Sequence, residues 1–204
     1  MSSSVVFSIV FLAAVAASMS LQVWLALRQL RHVRAHREAV PAHFSGRISL
    51  EAHHKAADYT AARTRLSIVD TLIDGAMLLA LTLGGGVALL AAWIGALPMP
   101  ALARDVALVI SVALIGGAIA LPMSWYRTFV IEERFGFNKM TFRLWLADTV
   151  KSTLLGALIG LPIAALILWL MGAAGTLWWL WAWAAWMGFN LLLMLIYPTF
   201  IAPL

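Results

Sequence analysis

Asp70 and Asp74 lie four residues apart in "SIVDTLIDGAMLLAL" (67–81), so on a helix both project from one face. Counted from Leu66 at 1.5 Å per residue, Asp74 reaches on the order of 12 Å into an apolar stretch. An ionisable group at that depth must face protein or trapped water, because facing lipid costs several kcal/mol. The chemistry open to such a pair is the polar lining of a hydrated cavity or substrate path. The plainer alternative is a structural partner, Arg63 or Lys151, or a shallow position created by helix tilt.

A second group lies in "YRTFVIEERFGFNKM" (126–140), where Glu132, Glu133, Arg134 and Asn138 stand among Tyr126, Phe129, Phe135 and Phe137. Joining two helices needs only a few polar residues. This density of charge and ring predicts an ordered contact surface for another domain or a substrate, though the charges could equally pair with one another. All five histidines fall within 28–65. His32 and His36 are four apart but flanked by arginine, and His53 and His54 project about 100° apart on a helix. Glu51, His54 and Asp58 share a face. The His-Glu-x-x-His pattern of zinc peptidases is absent from the sequence. We therefore read a solvated interfacial helix here and no metal ligand in this chain.

These residues sit in a chain of 204 residues that is 63% hydrophobic and 11% charged, with a mean hydropathy of +0.94. Soluble domains are nearer half apolar and a quarter charged, so the composition is that of a polytopic membrane protein. Apolar runs long enough to span a bilayer occur near 5–27, 66–97, 106–125, 150–171 and 177–197. None alternates apolar and polar residues at period two, which excludes a transmembrane barrel. The expected fold is all-α, about five transmembrane helices with an amphipathic loop helix.

Charge placement sets the topology. Of 14 Lys/Arg, eight fall in 28–65 and five in 127–151. Basic residues stay cytoplasmic, so the chain reads N-out and C-in, with cytoplasmic loops at 28–65 and 127–149. The net charge of +5 is thus a topology signal, and nucleic acid is excluded as a partner. "AAVAAS" (13–18) looks like a small-residue cleavage site, but residues 1–4 carry no positive charge, so an uncleaved first helix is expected. Absence of cysteine rules out a thiol nucleophile or disulfide in the chain.

Finer signals concern packing. Ser49 is placed as an N-cap before Ala-rich sequence. Gly84-Gly85-Gly86 allows close backbone approach or a kink, and Gly156-x-x-x-Gly160 puts two small residues on one face for close helix contact. Trp178 and Trp179 suit an interfacial belt, Trp186 is expected to pack deeper, and Asn190 to bond to another helix.

With these residues in hand, "LPMSWYRTFVIEERFGFNKMT" (121–141) resembles a stretch shared by CAAX prenyl proteases of the type I, zinc-dependent integral-membrane family. Tyr126, Thr128 to Arg134, and Gly136 to Lys139 fit it. "GRISLEAHHKAADYTAARTRL" (46–66) is similar to the first loop of bacterial members, and "YPTFIAPL" (197–204) to the exit from the family's fifth helix. The resemblance implies an intramembrane chamber walled by long helices, zinc as cofactor, and a peptide or prenylated protein as substrate. It also implies zinc ligands from a His-Glu-x-x-His helix and a later Glu, all downstream of the "IAPL" position.

None of those ligands lies within residues 1–204. The chain is therefore expected to be the N-terminal membrane domain, inactive alone, with the catalytic zinc domain downstream and absent. Glu132, Glu133, Arg134 and Asn138 are expected to meet that domain or substrate, and Asp70 and Asp74 to line the chamber. The Ala-rich composition and loop sequence favour a bacterial cytoplasmic membrane. The competing expectation is a self-contained transporter or scaffold that uses Asp70 and Asp74 as proton or cation sites.

Overall fold

The structure is a computed structural model that describes residues 2–41, 44 and 46–196. It is helical throughout, and among the described residues no strand occurs. In chain order the elements are α1 (Ser3–Ala35), α2 (Leu50–Leu81), α3 (Gly86–Gly95), α4 (Ala101–Tyr126), a π-helical segment (Arg127–Glu132), α5 (Phe142–Ala173), a short 3₁₀ turn (Gly175–Leu177) and α6 (Trp178–Ile196). Four helical stretches are long and apolar enough to cross a membrane, and α2 with α3 makes a fifth if the interrupted pair is one span.

The element boundaries differ from the sequence pattern in instructive ways. The loop helix and the second span are one uninterrupted helix, α2, because the Ala-rich stretch before Leu66 runs straight into the apolar stretch after it. Ser49 caps α2, its Oγ accepting from the Ala52 amide at 3.1 Å. The expected span at 66–97 is bent by 51° at the triple glycine between Leu81 and Gly86, where Gly85 takes φ +78°, a left-handed conformation that favours glycine. The basic end of the first span is helical as far as Ala35, which places Arg28, Arg31 and Arg34 on α1. "YPTFIAPL" and His43 lie outside the described residues.

Two compact units are present. One comprises α1, α2 and Ile115–Met140. In it α1 and α2 pack closely at Gly75, where a Cβ would collide with the Met19 thioether. Its core is small: Leu66, Ile131 and Phe135 are 8%, 5% and 9% exposed, and Tyr59, Ala62 and Met123 surround them. The other unit comprises Ala88–Leu114 and the chain from Thr141 onward, with α5 packed on α6. Thr141 caps α5 through its Oγ, 3.3 Å from the Leu144 amide.

Three packing expectations are corrected in this second unit. Among the described residues a Cβ added at Gly156 or Gly160 would meet no atom within 4 Å, so this spacing makes no close helix contact there. Trp186 is 51% exposed. Asn190 bonds within its own helix, its Nδ2 donating to the Trp186 carbonyl at 2.7 Å.

Large apolar side chains such as Phe7, Leu89, Trp93 and Met194 are mostly exposed. In water such a surface would drive aggregation. In hydrocarbon it is the matching solvent, which is why the buried core stays small.

Candidate functional site

The 126–140 segment is an ordered extension of α4. Met123, Arg127, Ile131 and Phe135 recur at steps of four and face α2. In an α-helix each such step advances about 40° around the axis, so the stripe would turn away from its partner. The wider π-helical turn at Arg127–Glu132 holds it back. The two elements run antiparallel: Arg127 meets Asp70, Ile131 packs on Leu66, and Phe135 reaches Tyr59.

Gly136 ends the helix at φ +68°. Its amide donates to the Glu133 carbonyl at 2.9 Å, and the Phe137 amide to the Glu132 carbonyl at 2.8 Å, which is a Schellman motif. The chain then folds back, and Tyr59 stands edge-on to two rings, Phe135 at 5.5 Å and Phe137 at 4.9 Å. Lys55 Nζ lies 5.0 Å from the centre of the Phe137 ring. Two of the segment's rings, Phe135 and Phe137, thus meet α2 within the chain, whereas Phe129 lies beside Trp125 and Tyr126 is exposed.

Of the site residues expected from sequence, Glu133 and Asn138 shape this turn. Asn138 Nδ2 donates to Glu133 Oε2 at 2.9 Å, and Asn138 Oδ1 accepts from the Met140 amide at 2.7 Å. Arg134 is exposed and lies 5.8 Å from the Phe135 ring centre, and Glu132 is half-buried. Asp70 and Asp74 line a separate cavity of about 270 Å³ with Ile73, Ile119, Met123 and Arg127. Arg127 Nη2 donates to Asp70 Oδ2 at 3.1 Å, and the Asp70 side chain is 25% exposed. The partner of Asp70 is thus Arg127, which the sequence pattern did not single out. A signal existed: Asp70 follows the start of one apolar run and Arg127 follows the end of the next. Antiparallel neighbours carry two such positions to one depth. Asp74 has no cation within 4 Å among the described residues.

A second polar cluster, whose pairing the sequence did not mark, ties the turn after α1 to α2. Arg37 donates Nε to Asp58 Oδ1 at 2.9 Å, Nη2 to Asp58 Oδ2 at 2.8 Å, and Nη1 to Glu38 Oε1 at 2.7 Å. These bonds hold the Asp58 and Glu38 carboxyls below their ordinary range and push the Arg37 guanidinium up. Asp58 is depressed from an ordinary 3.8, so its contribution to stability is full above that value and is lost as pH falls through the folded pKa. Asp58→Asn is expected to melt below the parent at neutral pH, by a small margin because Asp58 is 48% exposed. The margin should shrink toward zero in acid. A difference independent of pH in detergent melts would contradict this account.

His53 Nε2 lies 2.9 Å from the His36 carbonyl oxygen, and His54 Nε2 3.2 Å from Glu38 Oε2. Among the described residues no three His, Cys, Asp or Glu side chains gather closely enough to hold a metal ion.

Comparison with known proteins gives consistent matches. A family model described as CAAX prenyl protease N-terminal, five membrane helices, matches residues 29–204. A CAAX prenyl protease 1 homolog of Caenorhabditis elegans is 32% identical over 200 residues, covering 97% of this chain and 44% of that protein. One from Taenia solium is 44% identical over 85 residues, covering 42% of this chain and 18% of that protein. The crystal structure of S. mikatae Ste24p superposes with a TM-score of 0.83 at 27% identity, covering 94% of this chain and 46% of that one. The chain thus spans less than half the length of these relatives. The relatives named are eukaryotic, so they lend no support to a bacterial cytoplasmic membrane; an integral membrane protein is what the matches support.

Proposed function

The chain belongs to the CAAX prenyl protease family, as its N-terminal membrane domain, and from that premise we propose that it forms the membrane-embedded part of a zinc metalloendopeptidase. The observation that carries this reading is the match to the five-helix N-terminal model over residues 29–204, with a relative aligned across nearly the whole chain. In this reading the helices wall a chamber, and Asp70 and Asp74 supply polar lining. Glu132, Glu133, Arg134 and Asn138 then stand on the cytoplasmic side, where a catalytic domain or a peptide or prenylated-protein substrate docks. The antiparallel seam between α2 and 123–135 supports this, because it makes the segment a rigid ledge.

The described residues do not fit a zinc site, and His-Glu-x-x-His is absent from the sequence. The metal of the longer enzyme would be held by residues other than these. Residues 1–204 by themselves are accordingly expected not to cleave a prenylated peptide, whereas a longer protein containing them is expected to do so in a chelator-sensitive way. Chelator-sensitive cleavage by residues 1–204 would overturn the first statement. A reading frame that continues past Leu204 without His-Glu-x-x-His would overturn the second.

A further inference from the structure

On the other side of the α2 seam lies an open cleft of about 320 Å³ lined by Gln29, Tyr59, Thr60, Arg63, Ser67 and Arg127. Its level in the fold is set by sequence. Gln29 follows the first apolar run, Arg63 and Ser67 bracket the start of the second, and Arg127 follows the end of the third. Three elements therefore deliver polar residues where hydrocarbon gives way to headgroups. We propose that this cleft binds the phosphate of an anionic phospholipid headgroup.

The charges favour a monoanion. Arg127 already gives Nη2 to Asp70, while among the described residues no carboxylate lies within 4 Å of Arg63. One guanidinium remains uncompensated, matching the single negative charge of a phosphodiester. Arg63 is oriented by Tyr59, with its Cζ 5.6 Å from the ring centre and Nη1 3.4 Å from the hydroxyl. A guanidinium fork held this way suits two phosphate oxygens.

The hydroxyls add a preference. Thr60 Oγ1 donates to the Ala56 carbonyl and Ser67 Oγ to the Thr64 carbonyl, both at 2.8 Å. With their protons spent on the backbone, both oxygens offer lone pairs to the ligand. A headgroup bearing hydroxyls beside its phosphate, such as phosphoglycerol, satisfies them. A choline headgroup has no such donor and brings a positive charge beside the uncompensated Arg63. The site is independent of the peptidase reading, since nothing in it hydrolyses.

The test uses the chain in nanodiscs of phosphatidylcholine with and without phosphatidylglycerol, followed by native mass spectrometry of lipids retained on release. Preferential retention of phosphatidylglycerol is expected, and Arg63→Gln should lower it about tenfold, the loss of one charged hydrogen-bonded contact. Arg63→Lys, which keeps the charge but not the fork, should fall between. Arg31→Gln, on α1 outside the cleft, should retain lipid like the parent. Equal loss in Arg31→Gln and Arg63→Gln, or no preference over phosphatidylcholine, would overturn the site. Displacement of the bound lipid by inorganic phosphate at equal concentration would assign the ligand to solution instead and overturn the lipid. Preferential displacement by an acidic peptide would do the same in favour of a peptide.

Discussion

Phe135→Ala is expected to destabilise the first unit by about 3 kcal/mol, the usual cost of truncating a buried phenylalanine. Phe135 is 9% exposed and belongs to a core whose other buried members among the described residues are Leu66 and Ile131. So small a cluster has few neighbours that could close the cavity. The residue also carries an edge-on contact with Tyr59, worth about 1 kcal/mol beyond area. The loss should appear in two readouts: a lower Tm in detergent and faster proteolysis within 126–140. Phe135→Leu, which keeps most of the volume, should lose less than half as much. A double-mutant cycle with Tyr59→Leu isolates the ring contact, because the two side chains touch. Parent-like melting and protection in Phe135→Ala would mean that the 126–140 segment is not anchored on α2.

This anchoring marks the boundary of what the sequence made legible. The helical class, the break at Gly84-Gly85-Gly86 and the cap at Ser49 all rest on local signals, hydropathy and single-residue conformational preference. Gly136 was equally open to reading, since a glycine after "EERF" suits a helix C-terminus. The π-helical segment was not. Hydrogen bonding one residue wider has no composition signature, and its cause is tertiary: it keeps Met123, Arg127, Ile131 and Phe135 aimed at α2. For the same reason the partner of two of the rings in 126–140 was not legible: Phe135 and Phe137 meet Tyr59, Lys55 and Leu66 within the chain. Small-residue spacing at Gly156 and Gly160 misled in the opposite direction, because Gly and Ala are frequent here and the pattern is met by chance. Pairings across elements, Arg37 with Asp58 and Arg127 with Asp70, depend on register that no single stretch encodes.

The Asp70–Arg127 pair makes the second large prediction, and its asymmetry is the informative part. Replacing Arg127 with Gln leaves a carboxylate against Ile73, Ile119 and Met123 with no countercharge. Breaking a fully buried pair in this way costs 3–5 kcal/mol; with Asp70 a quarter exposed, about 2 kcal/mol is expected. Asp70→Asn should cost less, because the Arg127 side chain is 44% exposed and can carry its charge outward along a flexible stem. The double variant Asp70→Asn with Arg127→Gln should recover most of the loss, since no charge is then stranded. Melting the four proteins in one detergent checks this, and equal costs for the two single variants would refute the stranded carboxylate. A functional readout separates structure from chamber lining. In a longer protein that contains this chain and cleaves prenylated peptide, Asp70→Asn and Asp74→Asn should slow processing more than they reduce membrane insertion. Asp74 is the sharper probe, having no cation within 4 Å among the described residues and so little stability to lose. Unchanged processing in Asp74→Asn would remove Asp74 from the chamber, and unchanged processing in Asp70→Asn as well would leave Asp70 a purely structural partner of Arg127.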